Sequence, residues 1–148
     1  MTWKPPGERR EFSWLTLAEA SRLTHEAQLH GQKVVFTNGV FDLLHVGHLR
    51  YLQQARQQGD LLVVGLNSDA STRAIKGAGR PLVPEDERIE LLQAVRCVDA
   101  VVLFDEPTAE SLVESLRPDV YVKGGDYQLS ELPEAAIAQR YGGEVRIL

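Results

Sequence analysis

The chain has 148 residues, 43% of them hydrophobic and 25% charged, with a net charge of −5, which suits one globular domain and argues against a broad nucleic-acid surface, since that depends on many Lys and Arg contacts to phosphates. A single cysteine, Cys97, excludes an intrachain disulfide and a CxxC redox pair. No apolar run approaches the roughly 18 residues of a membrane span, so a cytoplasmic protein engaging neither membrane nor nucleic acid is expected.

Residues 1–13, "MTWKPPGERREFS", are polar, contain Pro5-Pro6-Gly7 and lack the apolar core of a signal peptide. They read as an N-terminal arm before a domain over 14–148. "TLAEASRLTHEAQLHG" then places Thr16 and Glu19 in capping-box spacing and stops at Gly31, which predicts a helix.

Apolar runs follow at 34–37, 61–67, 100–104 and 119–124, with "EVRIL" as a fifth at the end. Helical stretches are predicted between them at roughly 46–58, 85–96, 108–116 and 130–141, from apolar spacing and flanking Gly or Pro. Near-continuous apolar strands alternating with helices predict an α/β domain, a three-layer αβα arrangement around a mostly parallel sheet. Ligands collect at the carboxyl ends of such strands. The segments to inspect are therefore "NGVFDLLHVGH", "NSD", "DEPT" and "KGGDY".

The first of these is the most informative. After the run ending at Thr37 the chain turns through Asn38-Gly39, passes Phe41-Asp42, and places His45 and His48 around Gly47 as a helix begins. Spacing of three puts both imidazoles on one side of a helical turn, next to unpaired N–H groups and the positive end of the helix dipole. A missing side chain at Gly47 lets a ligand or backbone come close. The arrangement suits a phosphate, although two histidines at this spacing also occur on solvated helix surfaces. Zinc is the other chemistry to weigh; with no H-E-x-x-H and only Asp42 as a third ligand, no metal site is expected in the protein itself.

Two other segments carry charge. "RAIKGAGRP" (73–81) brings Arg73, Lys76 and Arg80 together with two glycines after the second strand. It reads as a flexible basic loop able to close on a phosphorylated acceptor, with Lys76 and Arg80 facing the phosphate. "VKGGDY" (122–127) ends a strand with Lys123, Gly124 and Asp126; glycines admit a ribose or base, and a carboxylate accepts from ribose hydroxyls.

"TNGVFDLLHVGHLRYL" resembles the first signature of the HxGH nucleotidyltransferases, the cytidylyltransferase-like group with a Rossmann-like fold. The resemblance implies transfer of a nucleotidyl group from a nucleoside triphosphate to a phosphate ester, with release of pyrophosphate. His45, His48 and Lys76 would be catalytic. A nucleotide pocket would draw on Thr37, Asn38, Gly39, Phe41, Asp42 and Gly47 from this signature. Asn67, Arg88, Lys123, Gly124 and Asp126 would complete it, Arg88 by reaching the nucleotide phosphates.

The order of "NSDAS", "KGAGRP", "VDAVVLF", "LRPDVYVKGGDY" and "YGGEVRIL" narrows the resemblance to the heptose 1-phosphate adenylyltransferases of that family, over roughly 30–148. It implies ATP as substrate, Mg²⁺ carried with the triphosphate, a sugar phosphate acceptor supplied by a separate sugar kinase, and a homodimer. A cytidylyltransferase acting on glycerol 3-phosphate or a similar ester shares the histidine motif, and a non-catalytic nucleotide-binding module is a further alternative. The resemblance also implies a Ser- and Thr-rich segment opening a helix beyond the last strand; the sequence stops at "EVRIL", so a shortened chain is expected.

Overall fold

The computed structural model describes residues 14–148; the N-terminal arm expected over 1–13 lies outside the described residues. Five strands form one all-parallel sheet: β1 (Val34–Gly39), β2 (Leu61–Asn67), β3 (Ala100–Phe104), β4 (Val120–Lys123) and β5 (Glu144–Ile147), in the order β3-β2-β1-β4-β5. The helices are α1 (Leu17–Leu29), α2 (Val46–Arg56), α3 (Asp69–Lys76), α4 (Glu85–Ala94), α5 (Glu110–Leu116) and α6 (Pro133–Arg140). None of the described helices is long and apolar enough to cross a membrane.

The alternation of strand side chains divides the core in two. Val34 and Phe36 of β1, with Leu61 and Val63 of β2, pack toward α1, α5 and α6 on one face. Val35, Leu62, Val64 and Leu66 pack toward α2 and α4 on the other. Both faces being covered is why the strands are apolar at nearly every position, each buried Val or Leu contributing about 1.5–3 kcal/mol. The result is the three-layer fold that the strand and helix pattern predicts, Rossmann-like as the family resemblance implies.

Thr16 caps α1 as expected: its Oγ1 accepts the Glu19 N–H at 3.2 Å, and the Glu19 carboxylate accepts the Thr16 N–H at 3.1 Å. Elsewhere the outcome is mixed. The predicted helix at 130–141 is a 3₁₀ turn (Leu129–Glu131) followed by α6, with Pro133 at its first position. The flexible basic loop read at 73–81 is half helix, because Arg73 and Lys76 form the last turn of α3. Ser68 caps that helix, its Oγ accepting the Ser71 N–H at 3.1 Å, and Gly77 ends it at a φ of 102°.

Strand order locates the site. From β1 the chain runs outward through β2 to β3, then returns across the sheet to β4 on the other side of β1. Helices on either side of this switch diverge and leave a crevice at the carboxyl ends of β1 and β4. The ladder itself opens there: β1 pairs with β4 only at Val35↔Val120 and Phe36↔Tyr121, although both strands continue.

Candidate active site

A cleft of about 1230 Å³ fills the crevice, and most of the residues singled out in the sequence line it. His45, Gly47 and His48 come from the β1–α2 turn, with Asn38, Gly39, Phe41 and Asp42 beneath them. Asn67 at the end of β2 lines it too, as do Lys76, Arg80, Lys123 and Gly124.

The β1–α2 turn holds its histidines by backbone bonds. The Gly47 N–H donates to His45 Nδ1 at 3.0 Å, and the His45 N–H donates to His48 Nδ1 at 3.2 Å. Each Nδ1 is thus an acceptor, so the proton of each neutral ring sits on Nε2. The rings lie 4.0 Å apart between centroids, and Phe41 supports His48 at 5.7 Å. Partial burial, reinforced by neighbouring His45, pulls the His48 pKa below its ordinary 6.5. At neutral pH His48 is therefore an uncharged Nε2–H donor.

Gly47 is required by this packing. A Cβ there would stand 2.7 Å from His45 Cε1, closer than carbon atoms tolerate. The approach to the turn is strained, with Phe41 and Leu43 at φ values of 50° and 52°. Non-glycine residues adopt that conformation rarely, and it clusters where a site dictates side-chain direction.

Three expected residues lie elsewhere. Arg88, expected on the nucleotide phosphates, is fully buried. Its guanidinium donates to the carbonyls of Val83, Val40 and Asn67 and to Asp69 Oδ1, each at 2.8 Å. It ties loops together beneath the cleft, since a buried guanidinium must spend its donors on nearby acceptors. Thr37 is also buried, with its hydroxyl 2.5 Å from the Tyr51 hydroxyl. Asp126 is exposed to one side of the cleft.

Other lining residues were not singled out from the sequence. Tyr51 is wedged where β1 and β4 part, donating to the Val122 carbonyl at 3.2 Å, and burial pushes its phenol up to about 12. Its position one turn after His48 on the same helix is a signal the sequence does contain. A Cβ on Gly124 would meet the Tyr51 ring at 2.9 Å, so that glycine serves packing inside the cleft wall. Tyr121 donates to Asn38 Oδ1 at 2.6 Å, which leaves the Asn38 NH₂ group as the free edge of that amide.

Glu134 is buried in the wall and accepts the Ala109 N–H at 3.0 Å, an arrangement that only tertiary contact produces. Burial pulls the Lys123 pKa down, against an upward pull from Glu134, with Lys76 adding to the depression. Lys123 sits 5.6 Å from the Tyr127 ring centroid. Among the described residues no cluster of three His, Cys, Asp or Glu is placed to hold a metal ion.

The cleft therefore presents paired imidazole N–H donors, the cations of Lys76, Arg80 and Lys123, and glycine-lined walls. Donors of this kind stabilise negative charge spread over phosphoryl oxygens. Comparison with known proteins agrees with that chemistry. The cytidylyltransferase-like family model matches residues 36–142. The bifunctional protein HldE of Pseudomonas aeruginosa (strain LESB58) is 54% identical over 123 residues, covering 83% of this chain and 26% of that protein. The protein of the same name from Ectopseudomonas mendocina (strain ymp) is 49% identical over 141 residues, covering 95% and 30%. The chain thus spans about a quarter to a third of the length of these curated relatives. Among solved structures, the lipopolysaccharide core biosynthesis protein of Thermoplasma volcanium GSS1 superimposes with a TM-score of 0.66 at 31% identity, covering 79% of this chain and 94% of that one. This chain belongs to the cytidylyltransferase-like family of nucleotidyltransferases.

Proposed function

We propose that the protein transfers AMP from ATP to D-glycero-β-D-manno-heptose 1-phosphate, giving ADP-heptose and pyrophosphate. The observation that carries this reading is the orientation of the two histidines, whose Nδ1 atoms are occupied by backbone N–H groups and whose Nε2–H edges remain for a ligand. Similarity to the HldE proteins and to a lipopolysaccharide core biosynthesis protein supports the choice of a sugar phosphate acceptor.

An oxygen of the acceptor's phosphate attacks the α-phosphorus of ATP. The bond from that phosphorus to the oxygen bridging to the β-phosphate breaks, and pyrophosphate leaves with the electron pair. No protein nucleophile takes part. His45 and His48 donate to the phosphoryl oxygens as charge spreads over them, and Lys76 and Arg80 hold the acceptor's phosphate. Lys123, Gly124 and the free NH₂ edge of Asn38 face the nucleotide. Mg²⁺ enters with the triphosphate as its counter-ion, and a sugar kinase supplies the acceptor. A homodimer belongs to the same reading: Leu43, Val46 and Leu49 expose 53%, 57% and 37% of their surface along one side of the α2 start, an apolar patch suited to a second copy.

The test is pyrophosphate release from ATP, Mg²⁺ and the heptose 1-phosphate, with wild type beside His48→Ala. Release that disappears in the variant is the expected result. Turnover with CTP and glycerol 3-phosphate instead identifies a cytidylyltransferase, and ATP binding without turnover identifies a binding module.

A further inference from the structure

The stretch between Lys76 and Val83 is an arm whose tip, at residues 77–79, stands clear of other side chains. A Cβ added at Gly77 or Gly79 would meet nothing within 4 Å, and Leu82 is 58% exposed. The turn is closed by one backbone bond, from the Arg80 N–H to the Gly77 carbonyl at 3.2 Å, and its two glycines give its tip no side-chain support. Lys76 and Arg80 stand on either side of that turn, yet both line the cleft.

The far end of the arm is fastened by Asp42, which lies three residues before His45. Its Oδ2 accepts the Leu82 N–H at 2.8 Å, its Oδ1 accepts the Val83 N–H at 3.0 Å, and Arg80 pairs with Oδ2 at 3.7 Å. Arg88 adds a second tie by donating to both the Val83 and Val40 carbonyls. Residues 40–42 and 80–83 are therefore joined through one carboxylate and one guanidinium. Both Asp42 oxygens are committed to protein donors.

We infer that Asp42 is a positioning residue, a latch that fixes the Arg80–Val83 end of the arm to the histidine turn and so sets where Arg80 meets the acceptor's phosphate, while Lys76 is placed by the last turn of α3. This rests on the reaction proposed above. Arg80 is half exposed, so its guanidinium keeps donors for an incoming phosphate while Asp42 restrains it from solvent. Substrate phosphate and Asp42 share one cation, and the arm is held close to the imidazoles before the acceptor arrives.

Asp42→Asn replaces one accepting oxygen with a donor and removes the charge facing Arg80. Expected are a rise of about tenfold or more in the acceptor KM, an ATP Kd by calorimetry within twofold of wild type, and faster solvent exchange of the Leu82 and Val83 amide protons by NMR. A weakened ATP Kd with an unchanged acceptor KM would make Asp42 a nucleotide ligand and overturn the latch. Wild-type protein provides a check independent of the variant's folding: Leu82 and Val83 amides should exchange slowly and those of Ala78 and Gly79 fast, and equal exchange along the arm sinks the inference. Should wild type show no turnover, the proposed reaction fails, while the exchange and ATP measurements still decide the role of Asp42.

Discussion

The histidine turn and the basic arm deliver hydrogen-bond donors to the same cleft by opposite means. In the turn, each imidazole is fixed by a backbone N–H on its Nδ1, and the residues leading into it adopt strained φ values. In the arm, Lys76 and Arg80 are long, exposed side chains on either side of a Gly-Ala-Gly turn that a single backbone bond closes, with helix α3 at one end and the Asp42 carboxylate at the other. Rigid donors suit the phosphoryl group whose charge develops in a fixed geometry, because preorganised dipoles need no rearrangement as the reaction proceeds. Adaptable cations suit the acceptor, which must enter and leave.

The largest effect should come from the rigid side. His48→Ala is expected to lower turnover by about 10²–10³-fold, the usual cost of one preorganised donor, with the unfolding midpoint little changed because the ring is half-buried at the surface of α2. A loss smaller than tenfold in a pyrophosphate-release assay would erase the distinction between the two regions.

Next is the brace that serves both. Arg88→Ala leaves three carbonyls and the Asp69 carboxylate without their donor and should destabilise the fold by about 3–5 kcal/mol in urea titration, with Arg88→Lys recovering only part, since an ammonium cannot span the same acceptors. Unchanged stability with weakened ATP binding would instead make Arg88 a phosphate ligand.

The arm should respond more gently. Lys76→Ala is expected to raise the acceptor KM by about tenfold, the loss of a charge-assisted contact, at an unchanged melting temperature. An effect on ATP affinity instead would move Lys76 to the triphosphate.

The smallest effect sharpens the electrostatics of the pair. By NMR, His48 should titrate below 6.5, and His45→Gln should raise its midpoint only partway, because partial burial is the larger cause and the neighbouring ring the lesser. Linkage gives the same sign. The folded state binds fewer protons at His48 than the unfolded chain, so this group costs stability as pH falls through 6.5 toward its folded pKa. A midpoint above 6.5 would show that the pair is held protonated.

The fold was largely legible because the strands are buried on both faces and so read as apolar runs; β2 and β3 occupy the predicted residues. Helix α3 was not, since its few apolar residues, Ala70, Ala74 and Ile75, are outweighed by the glycines that follow. Its signals were Ser68 before an acidic first turn, basic residues at the end and Gly77 as a stop.

At the site, the histidine turn could be read because all its parts are consecutive. Arg88 shows the limit: an arginine one turn into a helix looks the same in sequence whether it points outward or bonds carbonyls from two other loops. Glu134 gave no signal at all, because its partner is the N–H of Ala109, 25 residues away.

The two margins of the sheet have a consequence for handling the protein at high concentration. On the outer side of β3, Leu15 forms a single parallel bridge with Val102, its N–H donating to the Val101 carbonyl at 2.9 Å. On β5, the exposed Glu144 and half-exposed Arg146 form an ion pair. One margin is thus blocked by a backbone plug and the other by charge, two separate defences against strand-by-strand aggregation. Replacing Glu144 and Arg146 with valine would leave the cleft intact and turn β5 into a template for fibrillar self-association, a weakness that would appear in storage rather than in catalysis.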